Sequence, residues 1–129
     1  RLIWEGKPIP MFGDGTTRRD YPFVDDIVQG IRAAIDYDRS QHEIFNLGES
    51  QTIELRELIE LLEKNLGKKA LIDRQEMQPG DVPITFADIS KARELLNYNP
   101  QTKIEEGIPK FTTWFKQQIQ NPKSKIQNQ

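Results

Sequence analysis

The stretch Phe12-Gly-Asp-Gly-Thr-Thr-Arg-Arg-Asp-Tyr-Pro-Phe-Val-Asp-Asp26 packs two glycines, two adjacent arginines and several aspartates into a turn that leads into a helix. The glycines let the backbone turn tightly and expose its N–H groups. Arg19 adds a planar fork of donors that matches phosphate oxygens two at a time. We interpret the stretch as an anion-binding turn for a diphosphate. The alternative is a surface turn in which Arg19 pairs with Asp20 or Asp25.

A second polar loop, Gln78-Pro-Gly-Asp81, is expected to close on the same ligand. An aspartate after Pro-Gly can accept two ribose hydroxyls, as acidic residues do in dinucleotide sites. The alternative is an ordinary turn in which Asp81 bonds its own backbone. The chain has no Ser/His/Asp arrangement, P-loop or Gly-x-Gly-x-x-Gly, so we expect it to contain no catalytic residues.

Outward from these loops, the apolar spacing predicts about four helices with short strands between them. In order, we predict an extended strand over 7–12, a helix from Asp25 and Asp26 to about Tyr37, a strand over 43–47, a helix capped by Thr52 and ended by Gly67, a short strand over 70–72, a loop over 73–87, a helix capped by Asp88, and a helix over 102–119. The spacing also predicts one apolar face in the first helix, formed by Ile27, Ile31, Ala34 and Ile35. In the last helix it predicts that Phe111, Trp114 and Phe115 belong to the core.

The composition excludes several classes of protein. The 129 residues, 36% hydrophobic and 29% charged, suit one modest soluble domain. A net charge of -2 lacks the basic bias of a nucleic-acid surface, and no apolar run approaches the roughly 18 residues of a membrane span. Without cysteine there are no disulfides, so we expect a cytoplasmic protein. We expect no metal site around the single histidine, His42.

Taken together, the motifs resemble the C-terminal half of the NAD-dependent epimerase/dehydratase family, the extended short-chain dehydrogenases that act on nucleotide sugars. The motifs are Phe12-Gly-Asp-Gly15, Arg19-Asp-Tyr21 and Val24-Asp-Asp-Ile27. A later set is similar to the UDP-glucuronate 4-epimerase branch: Met77-Gln-Pro-Gly-Asp-Val-Pro83, Ala87-Asp-Ile-Ser-Lys-Ala92 and Leu96-Asn-Tyr-Asn-Pro100. The likeness runs in order over residues 1–118.

The resemblance implies an α/β fold, the substrate-binding part of an extended Rossmann-type nucleotide-sugar enzyme. It would occupy residues 1–119, followed by a tail over 120–129 that we expect to be disordered. In the family, an N-terminal Rossmann domain holds NAD and a Tyr-x-x-x-Lys catalytic pair, and both are absent here. The opening residues 2–6 read as the end of a helix, which also indicates a C-terminal piece. We therefore expect this chain to bind no cofactor and to be inactive alone.

The same resemblance implies roles for individual positions. Those matching Pro10 and Phe12 flank the uracil, and the one matching Arg19 grips the diphosphate. In the parent enzyme, NAD would oxidise the sugar C4 hydroxyl and return the hydride to the other face of the ketone.

In the second loop, the position matching Asp81 meets the ribose. Gln78 stands where other members carry a second phosphate-binding arginine, so the diphosphate grip would be weaker or differently shared. Thr85 falls near a position that sets the room for the sugar.

Other functions remain open from the sequence. The chain could be part of a nucleotide-sugar dehydratase or decarboxylase, a stand-alone non-catalytic nucleotide-binding module, or an α/β piece with no ligand. For the favoured reading, the expected partners are a UDP-sugar, the N-terminal Rossmann half and, for the parent, a second copy in a homodimer. No nucleic acid or membrane partner is expected.

Overall fold

A computed structural model describes residues 1–120 and shows an α/β fold of five helices and five short strands within that range. The elements are α1 (Leu2–Glu5), β1 (Pro8–Phe12), β2 (Arg18–Asp20), α2 (Val24–Ile35), β3 (Thr52–Glu54), α3 (Leu55–Leu66), β4 (Leu71–Gln75), β5 (Ile84–Thr85), α4 (Ser90–Leu96) and α5 (Ile104–Gln120). The tail expected to be disordered lies, from residue 121 onward, outside the described residues. No helix within 1–120 has the length and apolar character of a membrane span.

Strands β1 and β4 form a two-stranded parallel sheet in which Pro8 lies opposite Leu71 and Phe12 opposite Gln75. The two prolines of β1 are two residues apart, so their missing N–H groups lie on the same side of the strand. Only one edge of β1 can therefore pair fully, and β4 takes it. The extended segment predicted over 7–12 is confirmed.

Strand β2 is the centre of a second sheet, with order β3-β2-β5. It pairs antiparallel with β3, where Arg19 lies opposite Ile53, and parallel with β5, where Arg19 lies opposite Thr85. The three-residue strand Arg18–Asp20 thus pairs with two segments that each lie more than 30 residues further along the chain. Strand β3 begins at Thr52, and β5 begins at Ile84. This central position makes β2 the scaffold of the site described below.

The buried core lies between α2 and α4. Ile89, Ala92, Leu96 and Tyr98 are its fully buried members, and Ala33, Ala34, Tyr37, Phe45, Leu47 and Ala87 pack against it. The hydroxyl of Tyr98 donates to the carbonyl of Gly48 at 2.9 Å, which satisfies the polar end of a ring that is 1% exposed. Gly30 of α2 lies so close to this core that a Cβ there would meet Leu47 at 2.7 Å.

Helix α3 packs against α5 and begins with a capping box between Glu54 and Glu57. Gly67 ends α3 with a φ of 69°, and Gly6 ends α1 with a φ of 67°, both in the left-handed conformation that glycine adopts without strain. Both stops were predicted. The predicted cap at Thr52 is wrong, because Thr52 is paired with Asp20 in the β2–β3 ladder.

The helix predicted to start at Asp25 and Asp26 is confirmed as α2, but Asp26 does not cap it. The carboxylate of Asp26 is 8% exposed and accepts the N–H groups of Gln101 and Thr102, at 3.0 Å each. Those donors lie just before α5. Asp26 therefore ties the start of α2 to the start of α5, a contact between residues 75 and 76 positions apart.

Two other predictions of secondary structure are wrong. Residues 43–47 form no strand and have no ladder partner within the described part of the chain. The predicted loop over 73–87 instead contains the end of β4 and all of β5. Both errors have one cause, because a short strand exists only where a neighbour pairs with it.

The apolar face of α2 is largely exposed, and the predicted burial of Phe111 and Trp114 in α5 is wrong. In α2, Ile31 is 47% exposed and Ile35 76%, and with Val24 and Val28 they form an exposed apolar stripe at helical spacing. In α5, Phe111 is 47% and Trp114 54% exposed, while Phe115 is half-buried against Trp4. Buried positions of these helices are instead occupied by small or polar residues: Asp26, Gly30, Gly107 and Thr112.

Candidate functional site

An ion pair joins the two loops in which the sequence placed a diphosphate-binding arginine and a ribose-binding aspartate. Nη2 of Arg19 lies 2.6 Å from Oδ1 of Asp81, although the two residues are 62 positions apart. The side chains are 25% and 35% exposed, so the pair is open to solvent and to a ligand. Neither Asp20 nor Asp25 takes this position, so the alternative pairing considered for Arg19 is wrong.

The strand topology brings Arg19 and Asp81 together. The backbone N–H of Arg18 donates to the carbonyl of Pro83 at 2.8 Å, and β5 then continues in register beside β2. Asp81 precedes this attachment by two residues, so it lies beside the strand that carries Arg19. Formation of β5, which sequence reasoning missed, is therefore what assembles the candidate site.

Gln78 lies in the same turn as Asp81, and Thr85 lies on β5 next to Arg19 of β2. The carbonyl of Gln78 accepts the N–H of Asp81 at 3.1 Å, and Gly80 between them has a φ of 86°. This is the turn expected from Pro-Gly. Thr85 lies opposite Arg19 in the β2–β5 ladder. Arg19 and Thr85 thus lie side by side on β2 and β5, and Gln78 and Asp81 lie in the turn that precedes β5.

The other two, Pro10 and Phe12, lie on β1 in the separate two-stranded sheet. The connection to the loop runs through the next residue, Gly13, because a Cβ there would lie 2.4 Å from the sulfur of Met77. Met77 immediately precedes Gln78. The approach favours glycine, since Gly13 also has a φ of 76°, and it brings the end of β1 next to the start of the polar loop.

The glycine turn at residues 13–16 differs from the anion cradle that the sequence predicted. The N–H of Gly13 donates to the carbonyl of Gln75 at 2.9 Å, and that of Thr16 donates to Asp14 at 3.0 Å. The Thr16 hydroxyl also donates to Asp14, and these bonds lower the pKa of the Asp14 carboxyl. The N–H of Gly13 is therefore occupied by β4 and that of Thr16 by Asp14, which leaves fewer backbone donors for an anion than the sequence predicted.

Arg18 directly precedes Arg19, the residue expected to bind phosphate, but the guanidinium of Arg18 is bonded to β3. Its guanidinium donates to the hydroxyl of Thr52 at 3.0 Å, to the carbonyl of Thr52 at 2.6 Å and to Glu54 at 3.2 Å. These bonds lock β2 to β3. The guanidinium of Arg18 is held by three acceptors of one strand, whereas that of Arg19 faces the exposed loop.

Asp20 is a structural centre of the site that sequence reasoning did not identify. Its carboxylate accepts the N–H groups of Glu49 at 2.9 Å, Ser50 at 3.1 Å and Ala87 at 3.3 Å. A Cβ on Gly48 would lie 2.6 Å from this carboxylate, so the approach requires glycine. Asp20 thereby ties β2 to two separate loops. In the sequence, Asp20 simply follows Arg18 and Arg19, and nothing there indicates these contacts.

Behind Arg19 lies a small cavity of about 50 Å³, lined among others by Tyr21, Glu49, Gln51 and Lys103. The Oε2 atom of Glu49 is buried and has no hydrogen-bond partner among the described residues. Burial raises the pKa of Glu49, and the carboxylates of Asp26 and Asp20 raise it further. The negative charge on this side of β2 is therefore crowded, whereas Arg19 presents positive charge toward the loop.

Within residues 1–120, the glycine turn at Gly13 and Gly15 is not placed like that of a dinucleotide site. A dinucleotide site needs a glycine turn that follows a strand and opens a helix, and the turn at Gly13 and Gly15 connects β1 to β2 instead. Within residues 1–120, no group of three or more His, Cys, Asp or Glu side chains could hold a metal ion. The guanidinium of Arg19 can donate to an anion, and the carboxylate of Asp81 can accept from hydroxyl groups.

Comparison with known proteins gives consistent matches over most of the chain. The family model described as GDP-mannose 4,6-dehydratase matches residues 2–111. The UDP-glucuronate 4-epimerase of Thermodesulfobacterium geofontis is 43% identical over 125 residues, which is 96% of this chain and 38% of that protein.

Two solved structures show the same likeness. The UDP-glucuronic acid 4-epimerase of Bacillus cereus, in complex with UDP-glucuronic acid and NAD, is 34% identical with a TM-score of 0.77, covering 90% of this chain and 37% of that one. The UDP-glucose 4-epimerase of Thermotoga maritima with UDP-glucose is 29% identical with a TM-score of 0.81, covering 92% and 38%. The chain thus spans less than half the length of these relatives and matches their C-terminal portion.

Proposed function

The chain belongs to the epimerase/dehydratase family, and from this we propose that it is the nucleotide-sugar-binding part of an NAD-dependent UDP-sugar 4-epimerase of the UDP-glucuronate 4-epimerase type. The proposal is supported by the identity of 43% to a UDP-glucuronate 4-epimerase and by the likeness to an epimerase structure with UDP-glucuronic acid. The observation that carries it is the meeting of Arg19 and Asp81 at 2.6 Å.

In this proposal Arg19 binds the diphosphate and Asp81 binds the ribose hydroxyls. A guanidinium donates to phosphate oxygens with geometry that an ammonium cannot match, and a carboxylate accepts from two hydroxyls at once. The two partners occupy adjacent positions, as a ribose and the diphosphate attached to it must. Both side chains are partly exposed, which leaves them accessible.

The remaining positions complete the proposed subsites. Pro10 and Phe12 on β1 would flank the uracil, and Thr85 beside Arg19 would limit the room for the sugar. Gln78 offers a neutral side chain where a second arginine would add charge, so we propose that Arg19 supplies most of the diphosphate grip in this chain. The contact of Met77 with Gly13 supports a common site, because it holds β1 next to the loop.

The proposal places NAD and the catalytic groups on an N-terminal Rossmann half outside this chain. Support comes from the relatives, which are more than twice as long, and from the exposed apolar stripe Val24, Val28, Ile31 and Ile35, which would pack against that half. The parent is proposed to be a cytoplasmic homodimer. Sequencing the reading frame immediately upstream of the Arg1 codon tests this part. A stop codon there would instead favour a stand-alone module.

A second candidate is the binding part of a nucleotide-sugar dehydratase. The matching family model favours it, because that model is described as a GDP-mannose 4,6-dehydratase. Both candidates use a nucleoside diphosphate handle, and they differ in the base and in the chemistry of the N-terminal half. Titration with UDP and GDP separates them at the level of the base.

The decisive experiment is an NMR titration of the ¹⁵N-labelled chain with UDP. We expect shifts concentrated at Arg19 and around Asp81, and we expect Arg19→Ala to weaken UDP binding by about 1.5–3 kcal/mol, the range for hydrogen bonds to charged groups. Arg39→Ala, which removes the same charge from the exposed loop after α2, is the matched control. No shifts at millimolar UDP, or equal losses in both variants, would refute the proposed binding function.

A further inference from the structure

The contact between Arg19 and Asp81 has a consequence for which ligands can enter the site. The guanidinium of Arg19 also donates from Nη1 to the carbonyl of Arg18 at 2.9 Å, so its plane is held from behind. The remaining Nη2 edge is directed to Asp81 at 2.6 Å. A carboxylate oxygen and a phosphate oxygen are the same kind of acceptor for a guanidinium. Asp81 therefore occupies a donor that a diphosphate would use.

A bare inorganic anion meets two obstacles at this pair. It must displace Asp81 from Arg19 or bind next to an uncompensated carboxylate, and like charges at close range repel. It also leaves Asp81 without a donor to replace the guanidinium. The pair is partly exposed, at 25% and 35% for the two side chains, so the cost is moderate and the pair can open.

A nucleoside diphosphate can displace Asp81 from Arg19 and still give the Asp81 carboxylate new donors. Its phosphate oxygens accept from Arg19, while its ribose hydroxyls donate to the Asp81 carboxylate that Arg19 has released. Each member of the ion pair thus exchanges one partner for another, and no buried charge is left unpaired. The loop that carries Asp81 can shift for this exchange, because residues 71–86 are exposed and attached mainly through the backbone ladders of β4 and β5.

We propose that the Arg19–Asp81 ion pair is a specificity device that admits nucleoside diphosphates and disfavours inorganic phosphate and pyrophosphate. This inference rests on the proposed function, in which the same two residues bind the diphosphate and the ribose. It adds that Asp81 opposes binding of the isolated anion while favouring binding of the nucleotide.

The test compares UDP with pyrophosphate on the whole 129-residue chain at constant ionic strength. We expect Asp81→Asn to bind pyrophosphate about two- to fivefold more tightly than wild type, the range for releasing one partly exposed ion pair. The same variant should bind UDP no more tightly than wild type, so the preference for UDP over pyrophosphate falls. Asp38→Asn, which removes one carboxylate from the exposed loop after α2, should leave the preference unchanged.

The possible outcomes separate the two proposals. If wild type binds UDP but Asp81→Asn binds pyrophosphate equally or more weakly, Asp81 merely positions Arg19 and the specificity device is refuted. If Asp38→Asn produces the same gain as Asp81→Asn, the effect is general electrostatics and the device is again refuted. If wild type does not bind UDP, the proposed function itself fails. Asp81→Ala, with the amide spectrum as a check of folding, provides an independent second variant.

Discussion

The two faces of strand β2 carry similar residues but make different contacts. On one face, Arg18 donates to three acceptors of β3, and Asp20 accepts from three backbone N–H groups of two separate loops. On the other face, Arg19 makes one exposed ion pair to Asp81. Because side chains alternate along a strand, these adjacent arginines lie on opposite faces, where Arg18 is held by β3 and Arg19 pairs with a loop.

The difference shows that the partner, and not the residue type, decides the role of an arginine here. Arg18 is surrounded by acceptors that belong to the same sheet, so removing it would leave buried or half-buried carbonyl and hydroxyl groups unpaired. Arg19 pairs with Asp81 of an exposed loop, and we propose that a ligand replaces this partner. Stability and binding are therefore expected to separate cleanly along three consecutive residues.

The largest expected effect is that of Asp20→Ala on stability. The substitution leaves the N–H groups of Glu49, Ser50 and Ala87 without their acceptor, and we expect a loss of about 3 kcal/mol, since each unsatisfied donor costs on the order of 1 kcal/mol or more. Urea unfolding measures it. Asp25→Ala, at an exposed position in the first turn of α2, is the control and should cost well under half as much. Equal losses would show that Asp20 is not a structural centre.

The second effect compares the two arginines directly. Arg18→Ala should lower the free energy of unfolding by about 1.5–3 kcal/mol, whereas Arg19→Ala should lower it by roughly 1 kcal/mol at most. For UDP affinity the order should reverse, with Arg19→Ala the damaging change. Urea unfolding and UDP titration of both variants make the crossed comparison. A result in which Arg18→Ala weakens UDP binding as strongly as Arg19→Ala would remove the distinction between the two faces.

The smallest effect concerns Glu49, and it depends on pH. The raised pKa means that the folded chain holds the Glu49 proton more tightly than the unfolded chain. The ionised carboxylate therefore destabilises the fold at neutral pH, and this cost disappears as the pH falls through the raised pKa to below the ordinary value of 4.5. Glu49→Gln should stabilise the chain at pH 7 by about 1 kcal/mol or less.

Thermal unfolding at pH 7 and near pH 4 tests the sign of this effect. The gain from Glu49→Gln should be present at the higher pH and vanish at the lower one. Glu94→Gln, at an exposed position on α4, controls for the loss of one carboxylate. A gain that stays constant across this pH range would show that ionisation of Glu49 is not its cause.

Local patterns predicted much of the fold correctly. The helix ends at Gly6 and Gly67 follow from glycine in a left-handed conformation, and the strand over 7–12 follows from its two prolines. The four longer helices follow from apolar periodicity. These features depend on neighbours a few residues away, which is the range over which sequence patterns operate.

Patterns failed where the deciding contact is distant in sequence. The carboxylate of Asp26 was expected at the start of its own helix, and it bonds to Gln101 and Thr102 instead. The sequence predicts a loop where β5 lies, because these two residues form a strand only when they pair with β2. In α5, the spacing predicts Phe111 and Trp114 in the core, but both are exposed, since periodicity identifies an apolar face without showing what covers it.

For the site, the sequence alone supplied the residue types: an arginine with phosphate-binding geometry, an aspartate after a Pro-Gly turn, and the order of motifs that resembles the epimerase/dehydratase family. Tertiary structure decided that the guanidinium of Arg18 is held by β3 and that Arg19 meets Asp81. The physical reason is that hydrogen-bond partners are selected by the register between strands. That register joins β2 to residues 32 to 66 positions away, beyond the reach of local propensity.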